Sequence, residues 1–193
     1  MSGVHPQSRM TRRAALLLLA ALPVACTSPN PTLYVLAPMP GPIHPGRRRT
    51  IAVRGINLAR YLEHSQIVRS SEGYRLDVLA NEWWGEPLDA LVNRVLVQEL
   101  AQRLPGRNVY ADNGAISTPP DATVEINILR FDLNRNGAVL LLAQIAVGGA
   151  TNLSRDLSVT VTPTDATTPS LVAAMSNAIG QLADAIASML AGG

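Results

Sequence analysis

The first 26 residues decide how much of this chain is available for a fold. Arg12 and Arg13 are followed by an apolar run, Ala14 to Leu22, and then by small residues and Cys26. A basic start, a short apolar core and a small-residue cleavage site are typical of a secretory signal peptide. The core is about half as long as a bilayer-spanning helix must be. We therefore predict that residues 1–25 are a signal peptide and that the fold is built from the remainder.

The end of the same segment predicts a lipid anchor. Residues 22–26 resemble the bacterial lipobox, in which an apolar residue and small residues precede the cysteine. We predict lipidation of Cys26 as the first mature residue; the alternative is a free thiol beside an ordinary cleavage site. A single cysteine excludes an internal disulfide. The start at Met1 or Met10 stays open, as does export by the general or the twin-arginine route, because Arg12 and Arg13 fit both.

Removal of the signal leaves 168 of the 193 residues, which is a common size for one domain. Residues 26–32 are rich in proline and are predicted to form a tether that reaches roughly 20 Å. Residues 33–193 are predicted to be a single domain. All 16 basic residues are arginine, and the loss of three with the signal leaves 13 against 14 acidic residues. A mature net charge of −1 gives no support to nucleic-acid binding.

Alternation of apolar and polar residues predicts a sheet. The run 138–147 is apolar throughout, and we interpret it as a central strand that is covered on both faces. A turn at 134–137 is predicted to join it to the preceding strand as a hairpin. The predicted strands are 33–36, 50–54, 74–78, 109–110, 123–131, 138–147 and 157–161.

Two stretches have the 3.6-residue period of amphipathic helices. One runs from Glu86 to Leu104, with Pro87 in its first turn, and the other from Pro169 to Leu190. The second has a face of alanine, serine and asparagine, which leaves room for close packing or for a neighbouring subunit or partner. The element order predicts an α/β fold. We expect a two-layer domain in which both helices pack on one face of a mixed or antiparallel sheet.

The sequence offers no recognisable catalytic residue, metal ligand set or cofactor site. His44 and His64 have neither zinc spacing nor a free cysteine partner. Asp132–Gly137 begins like a calcium loop, but the position of the required glutamate holds Ala143, so we interpret it as a hairpin turn. The basic triplet Arg47–Arg49 is either a solvated strand edge or a contact for anionic lipid or an acidic partner. These features favour a binding module over an enzyme.

Two adjacent tryptophans, Trp83 and Trp84, precede the first predicted helix. One interpretation is that a ring fixes the start of the helix onto the sheet. The other leaves one ring exposed as an interface or lipid contact, because tryptophan is enriched in both environments. Both roles are compatible with the pair.

Several segments of the mature chain resemble the ABC-type transport auxiliary lipoproteins of the PqiC type. The segments are Leu33–Leu36, Ile51–Val53, Leu58–Leu62, Ser65–Val68, Tyr74–Leu76 and Glu82–Leu88, with a looser likeness in 124–131 and the last helix. The resemblance implies a non-enzymatic lipoprotein at the periplasmic face of the outer membrane. It would act beside an ABC transporter and an MCE-domain protein that forms a conduit for phospholipid or other hydrophobic molecules.

The resemblance also suggests where partners bind. Within the similar segments we expect contacts at Trp83, Trp84, Arg60 and Tyr61, and a homo-oligomer is a further expectation. Thr27 follows the cysteine where aspartate would signal inner-membrane retention. The alternatives are a structural or assembly lipoprotein of another envelope complex, and an enzyme acting on an envelope substrate.

Overall fold

The computed structural model describes residue 3 and residues 30–113, 115–116, 118–150 and 152–192. Apart from residue 3, the predicted signal peptide lies outside the described residues, and so does Cys26. Residues Pro31–Gly193 form one compact unit. The fold described below is that of this unit.

Within the described residues, nine strands, one 3₁₀ turn and two α-helices alternate along the chain. In order they are β1 Thr32–Tyr34, β2 Thr50–Val53, β3 Asn57–Leu58, the 3₁₀ turn Arg60–Leu62, β4 Gln66–Ser70, β5 Asp77–Trp84, α1 Leu88–Arg103, β6 Asn108–Ala111, β7 Ala122–Leu133, β8 Val139–Gly148, β9 Leu153–Val161 and α2 Thr168–Gly192.

The long strand β7 organises the sheet. On one side it pairs antiparallel with β8, which pairs antiparallel with β9. On its other side three short strands, β2, β3 and β4, lie parallel to it one after another. Strand β6 extends β2 in parallel, while β5 adds antiparallel to β4 and β1 adds parallel to β5. The predicted α/β fold with a mixed sheet and two helices is therefore confirmed.

The core lies between the sheet and the helices. Val124, Ile126 and Ile128 on β7 are buried, and they face the same side as their β8 partners Val147, Ile145 and Ala143. This is the period of two that the sequence predicted. Helix α1 buries the apolar stripe predicted for it, and Pro87 stands at its N-cap. The stripe is formed by Leu88, Leu91, Val92, Val95, Leu96 and Leu100.

The prediction that β8 is covered on both faces is wrong. Its burial alternates: Leu141 and Ala143 are buried, whereas Leu140 and Leu142 are half-exposed and Gln144 is exposed. The outward leucines lie between polar residues of β7 and β9 in the strand register. A continuous apolar run therefore forms a strand with one buried face, and its outward side chains remain partly exposed.

The strand predicted at 74–78 is also displaced. Gly73 and Tyr74 both have a φ of 64°, so the chain turns there and Tyr74 is exposed. Only at Asp77 does β5 begin, and it continues to Trp84. A left-handed backbone is rare for a tyrosine, and alternation over five residues carries no signal of it.

The proline-rich segment 35–46, which we call the strap, packs against both helices. Ala37 N donates a hydrogen bond to Ser176 Oγ (3.1 Å) on α2. A Cβ atom added to Gly180 would lie only 3.0 Å from Met39 Cβ. The small-residue face of α2 is therefore largely occupied by the protein's own chain. The close packing predicted for it is found within the molecule, and the alternative of a partner at this face is not supported.

Two buried ionisable residues of α1, Glu99 and Arg103, fix the strap. Met39 N donates to Glu99 Oε1 (2.6 Å), and Arg103 Nη1 donates to Met39 O (3.0 Å). Arg103 is 1% exposed, and it also donates to Asp184 Oδ1 (2.5 Å) and Gly180 O (3.1 Å). One guanidinium thus joins α1, α2 and the strap. Neither Glu99 nor Arg103 was singled out in the sequence, because both fall on an ordinary helix surface pattern.

Glu99 should make the stability of the fold pH-dependent. Burial raises the pKa of its carboxyl from 4.5 to about 7, against the opposing effects of the Met39 N–H and Arg103. The folded state then holds its proton to higher pH than the unfolded chain does. The contribution of Glu99 to stability therefore falls as pH rises from 4.5 to 7 and is constant above that range. We expect Glu99→Gln to remove this fall and to be more stable at pH 8 by about 2 kcal/mol.

Thermal unfolding followed by circular dichroism from pH 5 to pH 8 tests this expectation. Exposed Glu63 offers a matched control, and Glu63→Gln should leave the pH profile of the native chain unchanged. Equal profiles for Glu99→Gln and the native protein would contradict the assignment.

Candidate partner-binding surface

The two tryptophans lie at the end of β5, on opposite faces of the sheet. The Trp84 ring is 6% exposed and belongs to the core. The Trp83 ring is half-buried on the other face, where its Nε1 donates to Ala80 O (3.1 Å). The prediction that the pair precedes the helix is right in sequence, but the strand rather than the helix start holds them. Trp84 therefore stabilises the fold, and Trp83 is the accessible ring.

Strand β1 extends an apolar surface from Trp83 to the edge of the sheet. Leu33 is the register partner of Trp83, and both point to the same face. Leu33 is 62% exposed and Val35 is 56% exposed. We call Leu33, Val35 and Trp83 the edge strip. In the sequence it directly follows residues 26–32.

A hollow of about 250 Å³ adjoins Trp83. Its rim carries three carboxylates, of Glu63, Glu86 and Asp89, together with His64. Glu86 is paired with Arg94 (2.8 Å). The remaining lining residues are Leu58, Ser65, Trp83, Trp84, Pro87 and Leu88. We call this site the acidic hollow. An indole beside negative charge suits a segment that has both apolar and basic side chains.

Tyr61 does not contribute to this surface. Its hydroxyl donates to Asp132 Oδ2 (2.8 Å), and burial, followed by this hydrogen bond, raises its pKa to about 12. Asp132 is fully buried and also accepts from Ser71 Oγ and Arg130 Nε. Tyr61 therefore fixes the 3₁₀ turn to β7 and remains protonated at physiological pH.

Arg60, the other expected contact of this turn, is exposed but does not line the acidic hollow. Of the four expected contacts, only Trp83 and Trp84 lie at the acidic hollow, and of these two only Trp83 has an accessible ring. Sequence reasoning missed Leu33, Val35, Glu63 and Asp89. The parallel pairing of β1 with β5 joins residues 50 positions apart, and no local sequence pattern predicts it.

The segment that resembled a calcium loop is a hairpin turn. Asn134 Oδ1 accepts hydrogen bonds from Asn136 N (2.9 Å) and Ala138 N (3.1 Å), and Gly137 has a φ of 73°. The side chain that would begin a calcium loop, Asp132, is already engaged by Tyr61, Ser71 and Arg130. The interpretation as a turn is confirmed.

No helix in the described part of the chain has the length and apolar character needed to cross a membrane. In the same residues, no three histidine, cysteine or acidic side chains are grouped so that they could hold a metal ion.

Comparison with known proteins identifies relatives of the chain. A family described as "ABC-type transport auxiliary lipoprotein component" matches residues 34–187. Among curated proteins, none matches the chain in sequence. The crystal structure of an uncharacterised protein superposes with a TM-score of 0.71 at 18% identity, covering 84% of this chain and 99% of the other. A Xanthomonas campestris protein of the DUF330 family gives 0.69 at 17% identity, covering 83% and 96%. At these identities the two structures establish a shared fold.

Proposed function

Because the chain belongs to the ABC-type transport auxiliary lipoprotein family, we propose that it is a non-catalytic component of an ABC/MCE-type lipid transport system. It would be anchored at the periplasmic face of the outer membrane and would help a conduit to reach from the inner membrane to the outer one. The observation that carries this proposal is the family match over residues 34–187. The family description names an auxiliary component of transport, which agrees with the lack of a recognisable catalytic motif in the sequence.

The anchor and its location are part of the proposal. The lipobox-like residues 22–26 make Cys26 the acylated residue, and Thr27 favours sorting to the outer membrane. Only residues 27–32 separate Cys26 from the edge strip. A tether of this length reaches roughly 20 Å, so the edge strip and the acidic hollow would work close to the membrane surface.

We assign the edge strip and the acidic hollow as the docking surface for the MCE-domain protein. Leu33, Val35 and Trp83 offer exposed apolar area, and the carboxylates of Glu63 and Asp89 add negative charge beside it. A partner segment with apolar and basic side chains would complement both features. Anionic lipid headgroups would be repelled by the same carboxylates, so a protein segment is the better match for this surface.

The test is capture of the partner from intact cells. A photo-crosslinking residue at position 83 should trap an MCE-domain protein, whereas the same residue at Gln181, exposed on α2, should not. Capture of a different envelope complex at position 83 would favour the alternative, a structural or assembly lipoprotein. Repeated absence of an MCE-domain protein would count against the proposal.

Trp83→Ala should weaken this association by roughly 30-fold, or about 2 kcal/mol, which is usual for an aromatic residue at the centre of an interface. Leu129→Ala is the matched control, since Leu129 is an exposed apolar residue of β7 outside the acidic hollow. Quantitative co-purification in detergent measures the difference. Equal recovery with both variants would remove Trp83 from the interface.

A further inference from the structure

Four arginines gather at the end of the molecule where β2, β6 and β7 begin. Arg47, Arg48 and Arg49 lead from the strap into β2, and Arg107 lies in the turn after α1. The two segments are held side by side, because Thr50 pairs with Asn108 and Asn108 N donates to Arg49 O (2.9 Å). The basic triplet is therefore not an isolated strand edge, since a fourth arginine from a distant segment joins it.

In the part of the chain that the structure describes, none of these four arginines has a carboxylate partner of the kind that six other arginines have. Among the 13 arginines of the described chain, six pair with carboxylates, namely Arg54, Arg69, Arg94, Arg103, Arg130 and Arg135. None of the four clustered arginines forms such a pair within the described residues. The nearby carboxylate, that of Asp121, already accepts a hydrogen bond from Thr50 N (2.7 Å).

Arg107 is held in place with part of its hydrogen-bonding capacity unused. Its Nη1 donates to Leu190 O (2.9 Å) near the end of α2, and its guanidinium packs against Gly46. Its Nε is buried and has no partner among the described residues. Burial and the neighbouring charge of Arg49 both lower the pKa of Arg107. An anion placed between Arg49 and Arg107 would relieve this repulsion.

The space beside the arginines is large enough for such an anion. A hollow of about 630 Å³ is lined by Arg48, Arg49, Arg107 and Asp121, with Thr50, Gly106 and Asn108. A second hollow of about 340 Å³ shares Arg48, Arg49 and Asp121, and four apolar side chains also line it. These are Val147, Leu153, Met189 and Leu190. Of these four, Val147 and Leu190 are buried, whereas Leu153 is exposed and Met189 is half-buried, so accessible apolar surface lies beside the arginines. Cationic and apolar side chains next to each other match a molecule with a phosphate group and a hydrocarbon part.

We propose that Arg48, Arg49 and Arg107 form a binding site for a phosphate group, carried by a lipid headgroup or by a soluble phosphate ester. Guanidinium groups bind phosphate oxygens by paired, charge-assisted hydrogen bonds. Arg47 adds to the positive field at the rim. The accessible side chains of Leu153 and Met189 favour the lipid as the source of the phosphate, because a soluble ester would leave them without contact.

This site is separate from the docking surface. It lies where β7 begins, since Ile51 pairs with Ala122, whereas Leu58 of the acidic hollow pairs with Ile128. Ala122 and Ile128 are six residues apart on β7, which corresponds to about 20 Å along the strand. The inference does not rest on the proposed function, because it concerns the purified chain without a transport partner.

The experiment is titration of the purified, lipidated full chain in micelles of an uncharged detergent. Inorganic phosphate, glycerol 3-phosphate and a short-chain phosphatidylglycerol are added separately, and binding is measured by calorimetry and by ³¹P shifts. We expect the phosphatidylglycerol to bind more tightly than the two soluble anions. Equal binding of all three would assign the site to soluble phosphate, and the proposal of a phosphate site would stand.

Matched variants locate the site. Arg48→Gln and Arg49→Gln should each weaken binding about tenfold, and Arg75→Gln, at an exposed arginine outside both hollows, should not. Arg107→Gln should act in the same way, but it also loses the bond to Leu190 O, so its folding is checked by circular dichroism. Absence of binding by every titrant, or equal losses with Arg75→Gln and Arg48→Gln, would overturn the proposal.

Discussion

Arg103→Met is expected to destabilise the protein by about 3 kcal/mol, a large part of the stability of an ordinary domain. The side chain is almost fully buried and bonds to Asp184 Oδ1, Met39 O and Gly180 O. Methionine keeps the length of the side chain but leaves two carbonyls without a donor and the Asp184 carboxylate without its cation. Asp184 retains some exposure, which keeps the cost below that of a fully buried lone charge.

Arg94→Met on the same helix is the control. Arg94 pairs with Glu86 at 2.8 Å, yet both side chains are substantially exposed. Loss of an exposed ion pair costs about 0.5 kcal/mol. Urea unfolding of the two variants and the native chain gives the comparison. Similar losses for Arg94→Met and Arg103→Met would show that the buried network does not fix the strap.

The helices and the long strands could be predicted because their patterns are local. The apolar stripe of α1 and the alternation of Val124, Ile126 and Ile128 each reflect one buried face. The strap could be predicted only as a loop. Its packing depends on Glu99, Arg103 and Gly180, which lie on two helices far apart in sequence, and ordinary helical positions give no sign of a partner.

The candidate surface illustrates the same limit. Trp83 and Trp84 drew attention by their type, but their separation into a core ring and an accessible ring depends on the strand that holds them. A one-residue step along a strand reverses the face on which a side chain lies. Because the turn at Tyr74 displaces the start of β5, the alternation of residues 74–78 did not predict the strand that holds the two tryptophans. The pairing of Leu33 with Trp83 is likewise tertiary information.

The two surfaces of the molecule differ in charge for a structural reason. Arginines that lie near carboxylates form ion pairs; Arg130, for example, pairs with Glu72 and Asp132. At the start of β7, the three arginines that follow the strap lie beside Arg107. Among the described residues, Asp121 is the only carboxylate that lines the hollow next to them. Around Trp83 the imbalance has the opposite sign. Composition gives only the net charge of the mature chain, which is near −1, and does not show that positive and negative charge lie on separate surfaces. It could therefore predict neither surface.

Cys26→Ser is expected to move the protein from the membrane fraction to the soluble fraction. Each buried methylene of an acyl chain contributes about 0.8 kcal/mol, and a single chain holds a protein only reversibly. The two or three chains of a processed lipoprotein cysteine should therefore anchor the protein stably, and serine accepts none of them. Fractionation of cell envelopes, followed by detection of the protein in pellet and supernatant, measures the effect.

The released domain should still be folded, because the described residues build the sheet, the strap and the buried Arg103 network without the anchor. Its thermal unfolding should match that of the detergent-solubilised native protein. Trp83→Ala serves as the control, since it alters the edge strip but keeps Cys26, and it should remain in the pellet. Retention of Cys26→Ser in the membrane fraction would show that something other than the proposed acyl chains holds the protein there. Loss of Trp83→Ala from the pellet would instead make the edge strip part of the anchor.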